Sequence, residues 1–488
     1  MIAAVLLIAG GMAGEGAAVR AESLSIVNVT LIDGTGAPPR PGMTVRIEKG
    51  RIAAIGGAQP RQGRQPRQGR GRVIDGRGRY LVPGFIDSNA HLTVYGQPSR
   101  RDTSAKYGDR NEELALEVAQ RALKAGVTTL IDSYGVLAPS IVIRDRIDRG
   151  EAVGARLLLA GNIVGWGGPF SLSFSLTKDS DLSLFQEKWN DRLTQDIGEE
   201  ITDMTPDELR QAMRTYLDKG VDVIKYGGTA HFMRPSLIGF SPRQQQVIVE
   251  EAHRRGKPVQ VHATSPEGLR LSLEAGVDVI QHPELHSRDL PEELVALIIS
   301  RNALCGMRAN LITGAARQRH LAQRAAVEAQ QAALPPPTTA AERWRRLEAL
   351  GETEDIQWRN ARRLIAAGCR VTPATDSFLG DAPEFRRVPK TDEAEPGMGT
   401  IRAIEGFVEL GMTPMQAIVA ATRNGAASAF RSKDLGTVEE GKIADMVLLD
   451  ADPLADIHNI EKVNVVVAQG RVVDLASLPE HPLFDVKP

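Results

Sequence analysis

The stretch that most constrains this chain is Val82-Pro-Gly-Phe-Ile-Asp-Ser-Asn-Ala-His91, an apolar run that ends in polar residues. Read as a strand, its side chains two apart face the same way, which groups Asp87, Asn89 and His91 at the C-terminal end. Three polar groups converging there make a poor core and a good start for a metal site. From Val82 onward, short apolar runs alternate with helical stretches, the pattern of a parallel α/β arrangement. Strands are expected at residues 82–91, 127–133, 156–163, 221–226, 258–263, 277–282, 303–308 and 370–376, with helices such as 112–124, 206–219, 242–255, 266–274 and 355–367 between them. Gly126, Gly220, Gly256, Gly276 and Gly368 fall where helices should stop, as C-capping glycines do. Eight such strands fit a (β/α)8 TIM barrel, in which active sites gather at the strands' C-terminal ends. Three long insertions, 165–205, 310–353 and 377–400, follow barrel strands and are expected to overhang that face.

Composition narrows the function classes. A formal net charge of −2 and an aromatic content of 4% leave nothing suited to nucleic acid or an anionic membrane. The two cysteines, Cys305 and Cys369, sit in or beside separate predicted strands, which excludes a disulfide framework. Met1 to Ala21 holds an apolar run from Ile2 to Ala13, too short for a stable membrane span, then small residues up to Val19-Arg-Ala21. It reads as a cleaved export signal without a basic start, which would make the mature protein periplasmic or secreted; uncleaved, the chain would be cytoplasmic. The Arg/Gln/Gly/Pro-rich run 59–72 reads as a solvated loop. Before it, short β-rich runs at 24–29, 43–48 and 51–55 read as antiparallel strands.

Polar residues close five of the expected barrel strands. They are Asn89 and His91 on the first, then Lys225, His262, His282 and Asp376. A lone strand-end histidine is usually structural, but three His, a Lys and an Asp around one barrel axis point to metal ligands, with Asn89 beside them. Tyr226, Trp166, His231 and Arg308 lie near strand ends or in overhanging loops as candidate substrate contacts, with packing as the competing role. No P-loop or Rossmann fingerprint occurs.

These motifs resemble the metal-dependent amidohydrolase superfamily. The first-strand signature there is His-x-His, and here Asn89 takes the first position. That Asn-x-His variant resembles the phenylurea hydrolases and their thiocarbamate-cleaving relatives. Leu435-Gly-Thr-Val-Glu-Glu-Gly-Lys-Ile-Ala-Asp-Met-Val-Leu-Leu-Asp450 resembles the family's C-terminal sandwich strands. The resemblance implies four parts: a signal at 1–21, a barrel at 81–432, and a small β-sandwich built from both chain ends, 22–80 and 433–488.

It also implies the chemistry. One or two divalent ions, Zn²⁺ with Co²⁺ or Mn²⁺ as alternatives, would be held by Asn89, His91, Lys225, His262, His282 and Asp376. Lys225 would be a carbamate bridging two ions, and Asp376 would take the proton from the attacking water and pass it to the leaving nitrogen. The expected reaction is hydrolysis of a C–N bond in a small amide, urea or carbamate, by an enzyme that forms homo-oligomers. Within the superfamily the alternative is an Xaa-Pro dipeptidase or N-acyl amino acid hydrolase, with Arg308 as the cation for the substrate carboxylate. Outside that class the alternative is a non-catalytic barrel that has lost its metal.

Overall fold

Alternating apolar residues build the first sheet. In β1 (Ser23–Leu31), Leu24 and Ile26 are buried on one face. The phase then slips at Asn28, whose φ is +63°, so that Val29 and Leu31 continue the buried row. The slip coincides with a register shift against β2 (Arg40–Glu48), as expected of a β-bulge. The structure is a computed structural model that describes residues 23–57, 71–94, 100–171, 173, 182–231, 237–286, 288–349, 352–380, 382, 384 and 390–479. The expected export signal and most of the 59–72 run lie outside the described residues.

The sheet continues with β3 (Arg51–Gly57), β4 (Gly71–Asp75) and β5 (Tyr80–Pro83), then takes β15 (Met446–Leu449), β16 (Val463–Ala468) and β17 (Arg471–Val472) from the other end of the chain. Its order is β17-β16-β15-β5-β1-β2-β3, with β4 paired to β1. The two ends meet where β15 runs antiparallel to β5, Val447 opposite Val82. The Leu435–Asp450 motif therefore supplies the strand that lies against the opening stretch.

That opening stretch is not one strand. It divides at Gly84, where a Cβ would stand 2.1 Å from Thr128 Oγ1. Before the division β5 belongs to the first sheet; after it β6 (Phe85–Ala90) pairs with β7 (Val127–Asp132), parallel. β8 (Arg156–Leu159) completes a three-stranded arc. A second, six-stranded parallel arc runs β9 (Ile163–Val164), β10 (Ile224–Gly227), β11 (Val259–His262), β12 (Val279–Gln281), β13 (Leu304–Met307) and β14 (Arg370–Pro373) in that order. Every residue of β6 and β7 is buried, as in parallel sheets covered on both faces. Among the described residues, no continuous ladder closes the arcs into a ring. At one seam His91 N donates to Ser377 O and Asp376 N to Asn89 O, both at 2.9 Å; at the other, Asp222 N donates to Leu159 O at 2.7 Å.

The helices follow the sequence closely. Asn111–Lys124, Pro206–Asp218, Pro242–Arg254, Pro266–Ala275 and Glu352–Ala366 alternate with the strands. Thr205 and Ser241 cap two of them in reciprocal capping boxes with Glu208 and Gln244, each followed by Pro at the first turn. The five glycines expected at helix ends all have φ between +66° and +96°.

The two cysteines correct one expectation. Cys305 and Cys369 are joined in a disulfide, Cα–Cα 6.3 Å. Their strands are separate in sequence but adjacent in the arc, with Leu304 opposite Arg370, so the two side chains meet. Among the described residues, no helix is long and apolar enough to cross a membrane.

Candidate active site at the strand ends

Parallel strands of one arc end side by side, so the residues just past them form a shared rim. Lys225 lies in β10 and His262 closes β11, while His282 follows β12, Arg308 follows β13 and Asp376 lies beyond β14. The seam between β6 and the segment after β14 adds Asn89 and His91. His282 and Asp376 have φ of +58° and +56°. Left-handed backbone at non-glycine residues costs about 1–3 kcal/mol each and tends to persist at functional sites.

Asp376 is the hub. Its Oδ1 accepts from Asn89 Nδ2 at 2.6 Å and lies 3.1 Å from His282 Nε2 and 3.4 Å from His91 Nε2. Its Oδ2 accepts from Arg308 Nη1 at 3.4 Å. Asn89 Nδ2 also stands 3.0 Å from His282 Nε2, and Lys225 Nζ donates to Asn89 Oδ1 at 3.4 Å. The His262 ring centroid is 5.8 Å from that of His282. All six proposed ligand positions thus occupy one place.

Burial and mutual charge set the protonation states. Burial alone would raise the Asp376 carboxyl, but His282, His91 and Arg308 outweigh it and hold it well below the usual range. Burial lowers the Lys225 amine to about 8 against the opposing pull of Asp376 and Asp132. It likewise lowers His282 to about 4 and His262 well below its ordinary value. At neutral pH the site therefore holds an ionised carboxylate and neutral imidazoles at His262 and His282.

The amidohydrolase family profile matches residues 80–473, most of the chain. The chain belongs to that family. Two solved structures, a molinate hydrolase and phenylurea hydrolase B, each align with a TM-score of 0.81. They are 30% and 32% identical, and the alignments cover 96% of this chain and 98% and 100% of theirs. Ochratoxinase of Aspergillus niger is 28% identical over 257 residues, which is 51% of this chain and 45% of that protein. This chain thus spans less than half the length of that relative. The two structures share this chain's fold, which is of the amidohydrolase TIM-barrel type.

Members of the amidohydrolase family generally bind divalent metal, and the residues here suit such an ion. The Tyr134 carbonyl can only accept, so the His91 Nδ1 that lies 3.2 Å from it carries the hydrogen. In the neutral ring this leaves the Nε2 lone pair facing Asp376 Oδ1, two acceptors that a cation between them would reconcile. His282 Nδ1 is buried with no hydrogen-bond partner among the described residues. No three His, Cys, Asp or Glu side chains among the described residues are spaced to close around one ion.

Of the candidate substrate contacts in this amidohydrolase, three are at the site. The Trp166 ring lies 4.9 Å from His262 and 5.1 Å from His231, forming a wall, and its Nε1 donates to Thr229 O at 3.0 Å. Arg308 is already engaged, by Asp376 and, at 3.9 Å, by Glu284. Tyr226 does not join them. As the neighbour of Lys225 on one strand it faces the other way, packing on Phe240 and donating to Gln245 Oε1 at 2.9 Å. Asp87 also leaves the expected group, because a register shift follows it in β6. Its carboxylate accepts from the Thr375 and Thr400 hydroxyls at 2.6 and 2.8 Å.

Two buried carboxylates were not singled out from the sequence. Asp132 ends β7, accepts from Leu92 N at 3.1 Å and is pushed up to about 6 by burial, against the pull of His91. It carries the same strand-end signal as the others. Glu284 is fully buried and accepts from Arg308 N at 3.0 Å; lying beyond a strand, it shows no such pattern. Below the rim, Gln260 and Gln281 both donate to the Ser88 carbonyl, at 3.2 and 3.1 Å, and tie β11 and β12 to β6 across the interior.

Proposed function

We propose that this chain hydrolyses a C–N bond in a small amide, urea or carbamate, with Asp376 moving the proton. The observation that carries the reading is the convergence of Asn89, His91 and His282 on one oxygen of Asp376. Full-length similarity to a molinate hydrolase and a phenylurea hydrolase supports it.

Asn89, His91 and Asp376 would hold one ion, and His262 and His282 a second, with Lys225 carboxylated between them. The low amine pKa of Lys225 favours uptake of carbon dioxide, because only the neutral amine is nucleophilic. When bound, the ion (Zn²⁺, with Co²⁺ or Mn²⁺ as alternatives) lowers the pKa of water and polarises the scissile carbonyl. Asp376, ionised and anchored through Oδ1, accepts the water proton and returns it to the departing nitrogen. Trp166 and His231 wall the site beside His262.

Arg308 bears on substrate choice. With Asp376 and Glu284 on either side, its charge is compensated before any substrate enters. That counts against a receptor for a dipeptide carboxylate and favours uncharged ureas, amides and carbamates. The same reading treats the arcs as a closed eight-stranded barrel, 81–432, beside a composite sandwich of 22–80 and 433–488. Export is part of it as well, since disulfides persist in oxidising compartments and Met1 to Ala21 reads as a signal.

The test is turnover of anilides, phenylureas, carbamates and Xaa-Pro dipeptides by chelated and by metal-reconstituted protein. Phenylurea or carbamate hydrolysis lost on chelation and restored by Zn²⁺ is expected. Full turnover in protein shown metal-free by elemental analysis sinks the mechanism, and turnover of dipeptides alone moves the chain to the dipeptidases. No turnover with metal bound leaves the non-catalytic barrel.

A further inference from the structure

Away from the strand ends, a cavity of about 320 Å³ lies between the segment after β13 and the helix Met398–Glu409. Asn310, Glu393, Arg402, Glu405 and Glu409 line it. Its acceptors outnumber its donors. Asn310 is 1% exposed; its Nδ2 donates to the carbonyls of Thr375 and Glu393 at 3.1 and 2.7 Å, while its Oδ1 has no partner among the described residues. Glu393 is 5% exposed; its carboxylate accepts from Arg319 at 3.1 Å, through Oε1, and from the Thr391 side chain, while Oε2 is buried. The Glu405 side chain is 10% exposed; Oε2 accepts from Arg402 at 2.8 Å, and Oε1 is likewise unmatched.

Charge is as unbalanced as hydrogen bonding. Arg402 is already divided among Glu405, Glu461 and Asp392, and Arg319 serves Glu393. Of the charged side chains that line the cavity, Glu393, Glu405 and Glu409 are acidic and Arg402 is basic. His458 at the rim is exposed and paired with Asp456. Burial pushes the Glu405 carboxyl up against the pull of Arg402, and the neighbouring Glu461 carboxyl adds to the rise.

A bare metal ion does not match the lining, because no three acidic, His or Cys side chains among the described residues are spaced to ligate one. A planar or extended cation does: its separate N–H groups reach acceptors that are apart from one another, through charge-assisted bonds. The volume lies at the lower end of small-molecule pockets. We propose that this cavity binds a small organic cation, a primary alkylammonium or a guanidinium, through Asn310 Oδ1, Glu393 and Glu405.

The test titrates the full-length protein with 1,4-diaminobutane and with methylguanidine at constant ionic strength, by calorimetry and by thermal melting. Tetramethylammonium, which has charge but no N–H, is the control. Saturable binding of at least one N–H cation and none of tetramethylammonium is expected, weakened at least tenfold in Glu393→Gln/Glu405→Gln. Ala315→Arg, on the exposed first turn of Gly314–Ala332 at the cavity edge, supplies a tethered guanidinium and should abolish binding without replacing a buried residue. It keeps the test decisive if the double variant does not fold. Absence of saturable binding, equal response to tetramethylammonium, or binding unchanged in both variants would mean that water fills the cavity. A response to Ca²⁺ or Mg²⁺ alone would overturn the ligand class.

Discussion

Deleting the bond between Cys305 and Cys369 gives a stability change whose size follows from the fold. The bond joins residues 64 apart in sequence. Removing it frees that loop in the unfolded chain, which by loop-closure entropy is worth about 4 kcal/mol at 25 °C. For a 488-residue chain melting as one unit, at an unfolding entropy of about 2.1 cal/mol/K per residue, the midpoint should fall by about 4 °C. The variant is Cys305→Ala/Cys369→Ala, since both positions are buried and a serine would add the cost of an unmatched hydroxyl. Calorimetry of oxidised wild type against the variant reads the shift, and a thiol assay on protein unfolded without reductant should count none. Two reactive thiols in unreduced protein, or melting curves within about 1 °C of each other, would refute the reasoning.

Three further predictions concern the rim. Lys225→Ala should lose most turnover and part of the bound metal, with partial rescue by a small carboxylic acid; unchanged metal content by elemental analysis would make the lysine structural. Asp376→Asn removes the proton acceptor while keeping the shape, and kcat should fall by ~10²–10⁴; a value within a few-fold of wild type reassigns the base. Asn89→Ala should weaken one ion and leave the other, because an amide oxygen is a weaker donor to Zn²⁺ than imidazole. Equal metal stoichiometry in titrations of that variant would remove Asn89 from the ligand set.

Much of this was legible in the sequence because it rests on local rules. Caps such as Thr205 with Glu208, and glycines such as Gly276 at φ +96°, mark helix ends within a few residues. The family signature places Asn89, His91, Lys225, His262, His282 and Asp376, and the strands bring all six to one rim. What local rules miss is contact between distant segments. Gly84 divides the opening stretch because Thr128 lies against it, and nothing adjacent in sequence announces that. The shift after Asp87 breaks the alternation that grouped it with Asn89. Tyr226 could have been excluded, since strand alternation alone turns it away from Lys225. The disulfide followed from knowing which strands are neighbours, an order the sequence does not state.

The pairing of β5 with β15 has a consequence for the timing of synthesis. β5 leads directly through Gly84 into the strand that carries Asn89, yet its antiparallel neighbour Val447, opposite Val82, is made several hundred residues later. At typical elongation rates, some tens of seconds separate the two. Through that interval the β5 edge, with Leu81 and Val82 destined for full burial, stays without the neighbour that covers it. A ribosome stalled before Met446 should therefore carry a nascent chain that binds chaperones at Tyr80–Pro83 and releases them once Leu449 has emerged.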